Sequence, residues 1–585
     1  MIKIFKNLSK KDWGLFFISI GLIVLQVWLD LRLPDYMSEI TKYIETPGSE
    51  IRDVLGAGGK MLLCALFSMV SAACVSVIAS RVASDFSAIT RQKVYYAVED
   101  FSMGEMHHFS TASLITRTTN DVTQVQTLIV MGMQVIIKAP IMAVWAIMKI
   151  YNKNLIWTIS TGVAVVILMT IIAITIALAL PKFRAIQRMT DDVNRVTREN
   201  LTGLKVIHAY NAEEDVTKKF EVVNQTLTST NLYTSRAMAF LIPSIMAVLN
   251  GLALAIYWLG AIMINEAELT EVIDLFSDMI VFSSYAIQVI MAFMMLVMIF
   301  FLYPRASVAA KRILEVTEES PSLVDGKETE GLPNQEGSIA FHHVGFHYSF
   351  EDGDVISDIN FSVKKGETLA IIGATGSGKT TVINLIPRFY DANHGSVLVD
   401  GRDVKEYTQE ALHNKIGYVS QTAQLFSGSI RENIAYGENG KNEVSDEDIQ
   451  FAMEVACAKD FIMEKEDGLD SYVSQNGKNF SGGQRQRISI ARAVARRPEI
   501  LIFDDSFSAL DYKTDRMLRD NLKKQLPDVT KVIVAQRIGT IRDADQIICL
   551  SDGQMAGIGT HEELMRNCEE YQAIALSQLS KEELA

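Results

Sequence analysis

Gly373-Ala374-Thr375-Gly376-Ser377-Gly378-Lys379-Thr380 is the stretch on which the fold turns. It follows an apolar run, Leu369 to Ile372, and leads into the helical run Thr381 to Ile386. A strand, a glycine-rich loop and a helix in that order form a phosphate-binding loop. Glycines let backbone N–H groups close around phosphate oxygens, and the helix N-terminus adds favourable polarity. Lys379 is expected to reach the outer phosphates of a bound nucleotide, Thr380 to ligate Mg²⁺, and Thr381 to continue the site into the helix.

Working outward, a second apolar strand, Ile500 to Phe503, ends in Asp504. An acidic group at the tip of a neighbouring strand stands where Mg²⁺ needs support. Between the two lies Phe480-Ser481-Gly482-Gly483-Gln484, opening the helix Arg485 to Arg496. Ser481 and the glycines read as another phosphate-binding helix start. One site has no use for two, whereas two copies arranged head to tail can share them, so a dimer with ATP between its halves is expected. Strand patterns alternate with helical ones throughout this region, which predicts an α/β domain over 337–585. A polar stretch with Pro321, Gly326, Gly331 and Pro333 precedes it and reads as a linker over 317–336.

The first 316 residues have a different character. The chain of 585 residues is 49% hydrophobic yet carries a formal net charge of −14, and its mean hydropathy is +0.17. These values conflict in one soluble globule and fit a lipid-facing part joined to a charged soluble part. The acidic balance also argues against nucleic acid as a partner. Apolar runs long enough to span a bilayer fall near 14–36, 60–82, 128–150, 155–180, 239–264 and 273–302. Lys3, Lys6, Lys10 and Lys11 precede the first. Arg91, Lys93 and Arg117 lie between the second and third, and Lys182, Arg184, Arg188, Arg195, Arg198 and Lys205 between the fourth and fifth. The positive-inside rule therefore places both termini and both long loops in the cytoplasm of a cell-membrane protein. No cleavable signal peptide is expected, because the first apolar run begins after Lys10-Lys11 and lacks a small-residue cleavage site. Helical periodicity through Leu180, Phe183, Val193, Val196, Asn200 and Leu201 predicts that the spans continue into the cytoplasm as helices.

Polar groups in the spans are few: Asp30 and Arg32, Lys138, Asn250 and Gln288. Such groups face protein or a water-filled cavity, or snorkel to the interface. The acids Asp35, Glu39, Asp274 and Asp278 near the outside read either as an external gate or as solvated loop ends. Met279, Phe282, Tyr285, Met291, Phe293, Met294, Met295 and Met298 enrich span six, as a lining for apolar ligands or as helix packing. Cys64, Cys74, Cys457, Cys549 and Cys568 form no CxxC pair and read as buried thiols.

Taken together, these features resemble the ABC exporters, in which six spans precede one nucleotide-binding domain with a helical subdomain. The resemblance covers nearly the whole chain. It implies that Tyr348 stacks on adenine and that Gln421 senses the γ-phosphate beside the Mg²⁺ ligands Thr380 and Asp504. Phe480 to Gln484 correspond to the signature that serves the partner's ATP, with Phe480 replacing a usual leucine, and Ser508-Ala509-Leu510-Asp511 to the loop joining the two sites. Phe109 to Asp121 and Glu199 to Glu213 correspond to loop tips carrying coupling helices, and Val473 to Gly477 departs from the usual segment before the signature.

Two further departures fall in one site. The family has a catalytic glutamate after the strand aspartate, and here stands Asp505. It has a switch histidine, and here stands Gln536. Aspartate is one methylene shorter, and a displacement of about 1 Å costs on the order of 100-fold in rate. Glutamine donates a hydrogen bond but takes up no proton. The combined expectation is the weakly hydrolytic half of a bacterial heterodimeric multidrug exporter, moving amphipathic compounds through membrane lipid. The alternatives are a homodimeric exporter, a lipid or peptide flippase, or an ATP-gated regulatory or channel-like protein.

Overall fold

The computed structural model describes residues 2–46, 48–151, 154–268, 271–348, 353–437, 439–440 and 443–578. The chain forms two units: Met1–Glu99 with Thr111–Glu319, and Asp100–Ser110 with Ser320–Ala585.

The first unit is helical. Among the described residues six helical stretches are long and apolar enough to cross a membrane: Lys10–Glu45, Ile51–Glu99, Thr111–Tyr151, Leu155–Ala179, Glu213–Glu266 and Val272–Thr317. They contain five of the six runs read from the sequence and all but the last residue of the fourth. Several outlast the bilayer. Ile51–Glu99 has 49 residues, about 74 Å at 1.5 Å per residue, against a hydrocarbon core of about 30 Å. The helix Leu155–Ala209 is longer still, and a turn at Tyr210–Ala212 returns the chain into Glu213–Ala239. Continuation of the spans as helices is thus observed.

The first loop turns earlier than expected. A short helix, Met103–His108, is started by Ser102, whose side chain and Glu105 close a capping box. Helix resumes at Thr111, so Phe109–Asp121 is the return into span three rather than the tip. The side chains of Leu180, Phe183, Arg184 and Met298 lie outside those described.

Several of the polar groups in the spans find partners, while among the described residues the Gln288 side-chain oxygen is buried without one. Lys138 Nζ lies 3.1 Å from Asp30, whose other oxygen accepts from the Ser68 hydroxyl. Asp35 accepts from the Tyr285 hydroxyl at 2.6 Å and from Lys149 at 2.7 Å, with Arg32 at 3.8 Å. Lys42 pairs with Asp274 at 2.6 Å. Asp35 is therefore tied between helices, whereas Asp274, at the start of span six, stays largely exposed to solvent while it pairs. Met279, Phe282 and Tyr285 are buried, with Phe282 against Trp157 at 5.4 Å, so span six is helix packing at these positions; Met291 is exposed. The outer faces carry exposed Leu62, Phe67, Val77, Ile159, Val166 and Trp258, a surface suited to lipid. Cys74 shares such a face, which corrects the expectation of five buried thiols; Cys549 and Cys568 are buried, and Cys64 and Cys457 partly so.

The second unit is α/β. Its main sheet holds β1 (Thr368–Gly373), β2 (Ile416–Val419), β3 (Ile500–Asp504), β4 (Thr530–Val534), β5 (Gln546–Ser551) and β6 (Gln554–Gly559), in the spatial order β6-β5-β1-β4-β3-β2. All neighbours are parallel except β6 on β5. Every residue of β3 and β4 is buried, as a parallel sheet covered on both faces requires. A second, antiparallel sheet comprises Ile356–Val363, Ile339–Phe346, His394–Val399 and Arg402–Asp403. Helices α1 (Lys379–Leu385), α2 (Gly482–Ala495), α3 (Tyr512–Gln525) and α4 (Glu569–Gln578) carry or flank the motifs, and Asp446–Val455 with Lys459–Met463 adds helical bulk beside α2. The polar stretch read as a linker is pinned down in part. Gly326, Lys327 and Glu328 donate backbone bonds to the carbonyls of Tyr407 and Glu406, and Leu332 to that of Asp400.

The Asp30–Lys138 pair is shielded enough to matter, with side-chain exposures of 23% and 18%. A double-mutant cycle of Asp30→Asn and Lys138→Met, read by thermal unfolding in detergent, is expected to give a coupling of about 1–3 kcal/mol. Each single variant should be less stable than the pair; strict additivity would show the pair to be inert.

Candidate functional site

The carboxyl edge of the parallel sheet gathers the chemistry. Val534 of β4 lies opposite Ile371 of β1 on one side and Asp504 of β3 on the other. The segments leaving β1, β4 and β3 are therefore neighbours, and Gln421 arrives two residues beyond β2. The loop after β1 is built on glycine where the backbone demands it. Gly378 caps α1 with φ +92°, and a Cβ there would run into the Ile356 side chain. Lys379 Nζ donates to the carbonyls of Gly373 at 3.0 Å and Ala374 at 2.6 Å. Burial pulls the pKa of this ammonium down, while Asp505 and Asp504 pull the other way. The Thr380 hydroxyl donates to Asp504 Oδ1 at 3.2 Å, and Thr381 Oγ1 pairs with Tyr348 Oη at 2.9 Å. Tyr348 is nearly half exposed, and its ring meets Phe346 and Tyr390 edge-on at 4.9 and 5.2 Å.

Asp505 holds the centre. It sits in the left-handed region at φ +44°, its N–H donating to the Val534 carbonyl at 3.1 Å and its carbonyl accepting from the Ser508 hydroxyl at 2.8 Å. Its carboxylate Oδ2 accepts from Gln536 Nε2 at 2.7 Å and Gln421 Nε2 at 3.4 Å. Burial pushes the pKa of Asp505 up, and the amide donors only partly offset it. Burial also raises that of Asp504, the neighbouring Asp505 adding to the rise and Thr380 opposing it. A cavity of about 320 Å³ is lined by Thr375, Gly376, Gly378, Lys379, Thr380 and Thr381, with Gln421, Asp504, Asp505 and Gln536. Val355 and Val534 complete it, and Val355 is a lining residue that no motif in the sequence marked.

The signature lies elsewhere. Among the described residues that line this cavity none belongs to Phe480–Gln484 or Ser508–Asp511. Ser481 caps α2, with Gln484 completing a capping box, and Phe480 is buried under Lys465 Nζ at 4.6 Å from its ring. A Cβ on Gly483 would stand 3.3 Å from the Ala509 carbonyl, so the signature and the joining loop abut. Leu510 is buried beside them, and Asp511 caps α3 by accepting from the Thr514 N–H at 3.0 Å. The divergent segment before the signature is bonded too, Gln424 Nε2 donating to Asn476 Oδ1 at 2.8 Å. The sequence reading also passed over Gln578, which touches the switch segment; its spacing after Tyr571 and Ala575 on α4 is the signal that could have found it.

A phosphate loop, a carboxylate pair and a helical membrane unit in one chain define an ATP-driven transporter half. Residues 356–508 match the family described as ABC transporter, and residues 16–293 that described as ABC transporter transmembrane region. The chain is 37% identical over 527 residues to an uncharacterised ABC transporter ATP-binding protein of Mycobacterium tuberculosis, covering 90% of this chain and 88% of that one. Against YfiB, an uncharacterised ABC transporter ATP-binding protein of Bacillus subtilis, identity is 35% over 538 residues, 91% of each chain. Against the ATP-dependent lipid A-core flippase of Desulfotalea psychrophila it is 31% over 507 residues, 85% of this chain and 86% of that one. In fold the chain is similar to a solved bacterial Atm1-family ABC exporter with ATP bound, at TM-score 0.78 and 22% identity over 96% of this chain and 98% of the other. The chain belongs to the ABC transporter family. It is a multi-pass membrane protein, an exporter half-transporter with an ATP-hydrolysing domain.

Because its pKa is raised, the Asp504 carboxyl destabilises the nucleotide-free fold when ionised, and the penalty vanishes below the ordinary aspartate range of about 4. Asp504→Asn should therefore raise the calorimetric transition of the nucleotide-binding unit at pH 8, with the gain shrinking as pH falls toward 4. A gain that grew on acidification would contradict the assignment.

Proposed function

We propose that this chain is the degenerate-site half of a heterodimeric exporter of amphipathic compounds, drugs among them. The observation that carries the reading is the pairing of Asp505 with Gln536, at 2.7 Å, where the family has a glutamate and a histidine. Phe346, Tyr348 and Tyr390 form an aromatic cluster for adenine, and the loop Gly373–Lys379 with Thr380 and Thr381 wraps the phosphates. The hydroxyl of Thr380, the carboxylate of Asp504 and the side-chain oxygen of Gln421 form a set of hard oxygen donors, which fits Mg²⁺. When bound, the ion neutralises charge on the outer phosphates. Asp505 orients water through a shorter arm than glutamate, and Gln536 donates a hydrogen bond without a proton to exchange. ATP is thereby held and cleaved slowly.

The signature Phe480–Gln484 completes the ATP site of a second, different half-transporter whose own glutamate and histidine are in place. Closure of the two nucleotide domains over ATP is relayed to the spans by the two cytoplasmic loop tips, alternating access between the membrane faces. The lysines and arginines before span one and in both long loops support cytoplasmic termini. A second reading, lipid as cargo, is favoured by the 31% identical relative named as a lipid A-core flippase.

ATPase turnover of the chain alone in nanodiscs, against Asp505→Glu with Gln536→His, tests the reading. Turnover well below the 1–10 s⁻¹ on the order of which transporters work, raised about tenfold or more by the double replacement, is the expected result. Native turnover already in that range would show Asp505 to suffice and would favour a homodimer. In a mixed dimer Ser481→Arg is expected to silence the partner's turnover while leaving ATP binding at the site built by Lys379 intact, read by photolabelling of this chain.

A further inference from the structure

The last described helix, α4, is seated by Tyr571 and Ala575, both buried in the core of the nucleotide-binding unit. The Tyr571 hydroxyl is bonded to His561 Nδ1 at 2.7 Å, which fixes the helix in rotation. Gln578 falls three residues beyond Ala575 and seven beyond Tyr571, so it projects from the same face. That face meets the segment leaving β4. The Gln578 side-chain oxygen accepts from the Ile538 N–H at 2.9 Å, and its amide nitrogen donates to the Gln536 carbonyl at 2.7 Å.

The two bonds bracket Arg537. Ile538 opens the short helix Ile538–Ile541, whose cap residue Arg537 makes no side-chain capping bond. The first-turn N–H of such a helix has no partner within the helix, and Gln578 supplies one from outside. On the other side of the same peptide stretch, the Gln536 side chain donates to Asp505. A displacement of the Gln536 backbone moves that amide relative to the carboxylate by a similar amount. Hydroxyl side chains also donate and accept, but through a single oxygen; the primary amides of asparagine and glutamine place an acceptor and a donor on two separate atoms at any pH, and the reach from α4 calls for the longer one.

We propose that Gln578 is a positioning residue for ATP hydrolysis, holding the backbone on both sides of Arg537 so that residue 536 stays in register with Asp505. This rests on the reading of Asp505 and residue 536 as the hydrolytic end of the site. Because Gln578 bonds backbone atoms, its effect persists when the side chain at 536 is exchanged. It also gives the C-terminal helix a part in the reaction without contact to nucleotide.

The test is hydrogen exchange by mass spectrometry on the full chain in nucleotide-free nanodiscs. It is joined to steady-state ATPase in the Asp505→Glu, Gln536→His background. Gln578→Leu removes both bonds and should speed exchange in the 536–541 peptide by about five- to tenfold, the loss of one neutral hydrogen bond. Peptides within 569–577 should stay protected, and kcat should fall several-fold with KM for ATP unchanged. Gln578→Glu keeps the acceptor for Ile538 and loses the donor to Gln536. It should leave exchange slow while kcat still falls, a split that loss of folding would not produce. Unchanged exchange in Gln578→Leu, or faster exchange with unchanged kcat, overturns the proposal. Asp505→Asn in the otherwise native chain reads the underlying site separately. If that substitution leaves hydrolysis untouched, the assignment of Asp505 fails, whereas the exchange result for Gln578 is read before any nucleotide is added.

Discussion

The placement of β4 between β1 and β3, parallel to both, is the constraint on which the nucleotide-binding unit depends. Parallel strands all deliver their following segments to the same edge, so the phosphate loop, Asp504–Asp505 and the switch segment are brought side by side without any long connection. The register is hard to slip. Every residue of β3 and β4 is buried, and moving either strand by one residue would exchange the side chains facing the two covered faces. Bulky apolar residues along Ile500–Phe503 and Val532–Val534 therefore do two things at once: they form the core and they fix where Asp504 and Gln536 emerge.

What the sheet delivers is electrostatically unfavourable by itself. Two adjacent carboxyls are carried into a partly closed cavity, where burial raises the pKa of both and Asp505 adds to the rise at Asp504, with Lys379 as a nearby cation. A polyphosphate entering this cavity meets like charge. Lys379 relieves part of that repulsion, and the remainder is the physical reason for reading Thr380 and Asp504 as ligands of a divalent cation. The strain at Asp505, a non-glycine residue at φ +44°, belongs to the same trade: stability given up where the chain must present a carboxylate at a sharp turn.

How much of this could be read beforehand follows from the range over which each signal acts. The phosphate loop, the strand ending in Asp504 and the capped start of α2 are local patterns, and local patterns survive in one dimension. The six spans were legible for the same reason, since about 20 apolar residues in a row have few other uses. The tip of the first loop was misplaced because the deciding capping box, Ser102 with Glu105, sits upstream of the segment that carried the family resemblance. Partners across helices were not legible at all. Nothing in the order of residues announces that Lys138 would face Asp30, or that Tyr285 would spend its hydroxyl on Asp35 rather than on a ligand. Gln578 was missed for a related reason: its two bonds go to backbone atoms, which leave no mark on the residues they hold.

The separation of the signature from the cavity gives the dimer a physical basis. Ser481 and the N-terminus of α2 present backbone N–H groups and a helix dipole suited to an anion, yet the phosphate-side cavity of the same chain is lined without them. Each chain therefore carries two unlike half-sites, and a defect in one does not compromise the other. Under the proposed reading, the aspartate at residue 505 and the glutamine at residue 536 alter only the phosphate-side half, while the capping box of Ser481 with Gln484 stays intact. On that reading such a pattern would be selected against in a homodimer, where every composite site contains Asp505. In a heterodimer it would affect one site of the two and leave this chain's signature free to serve the other.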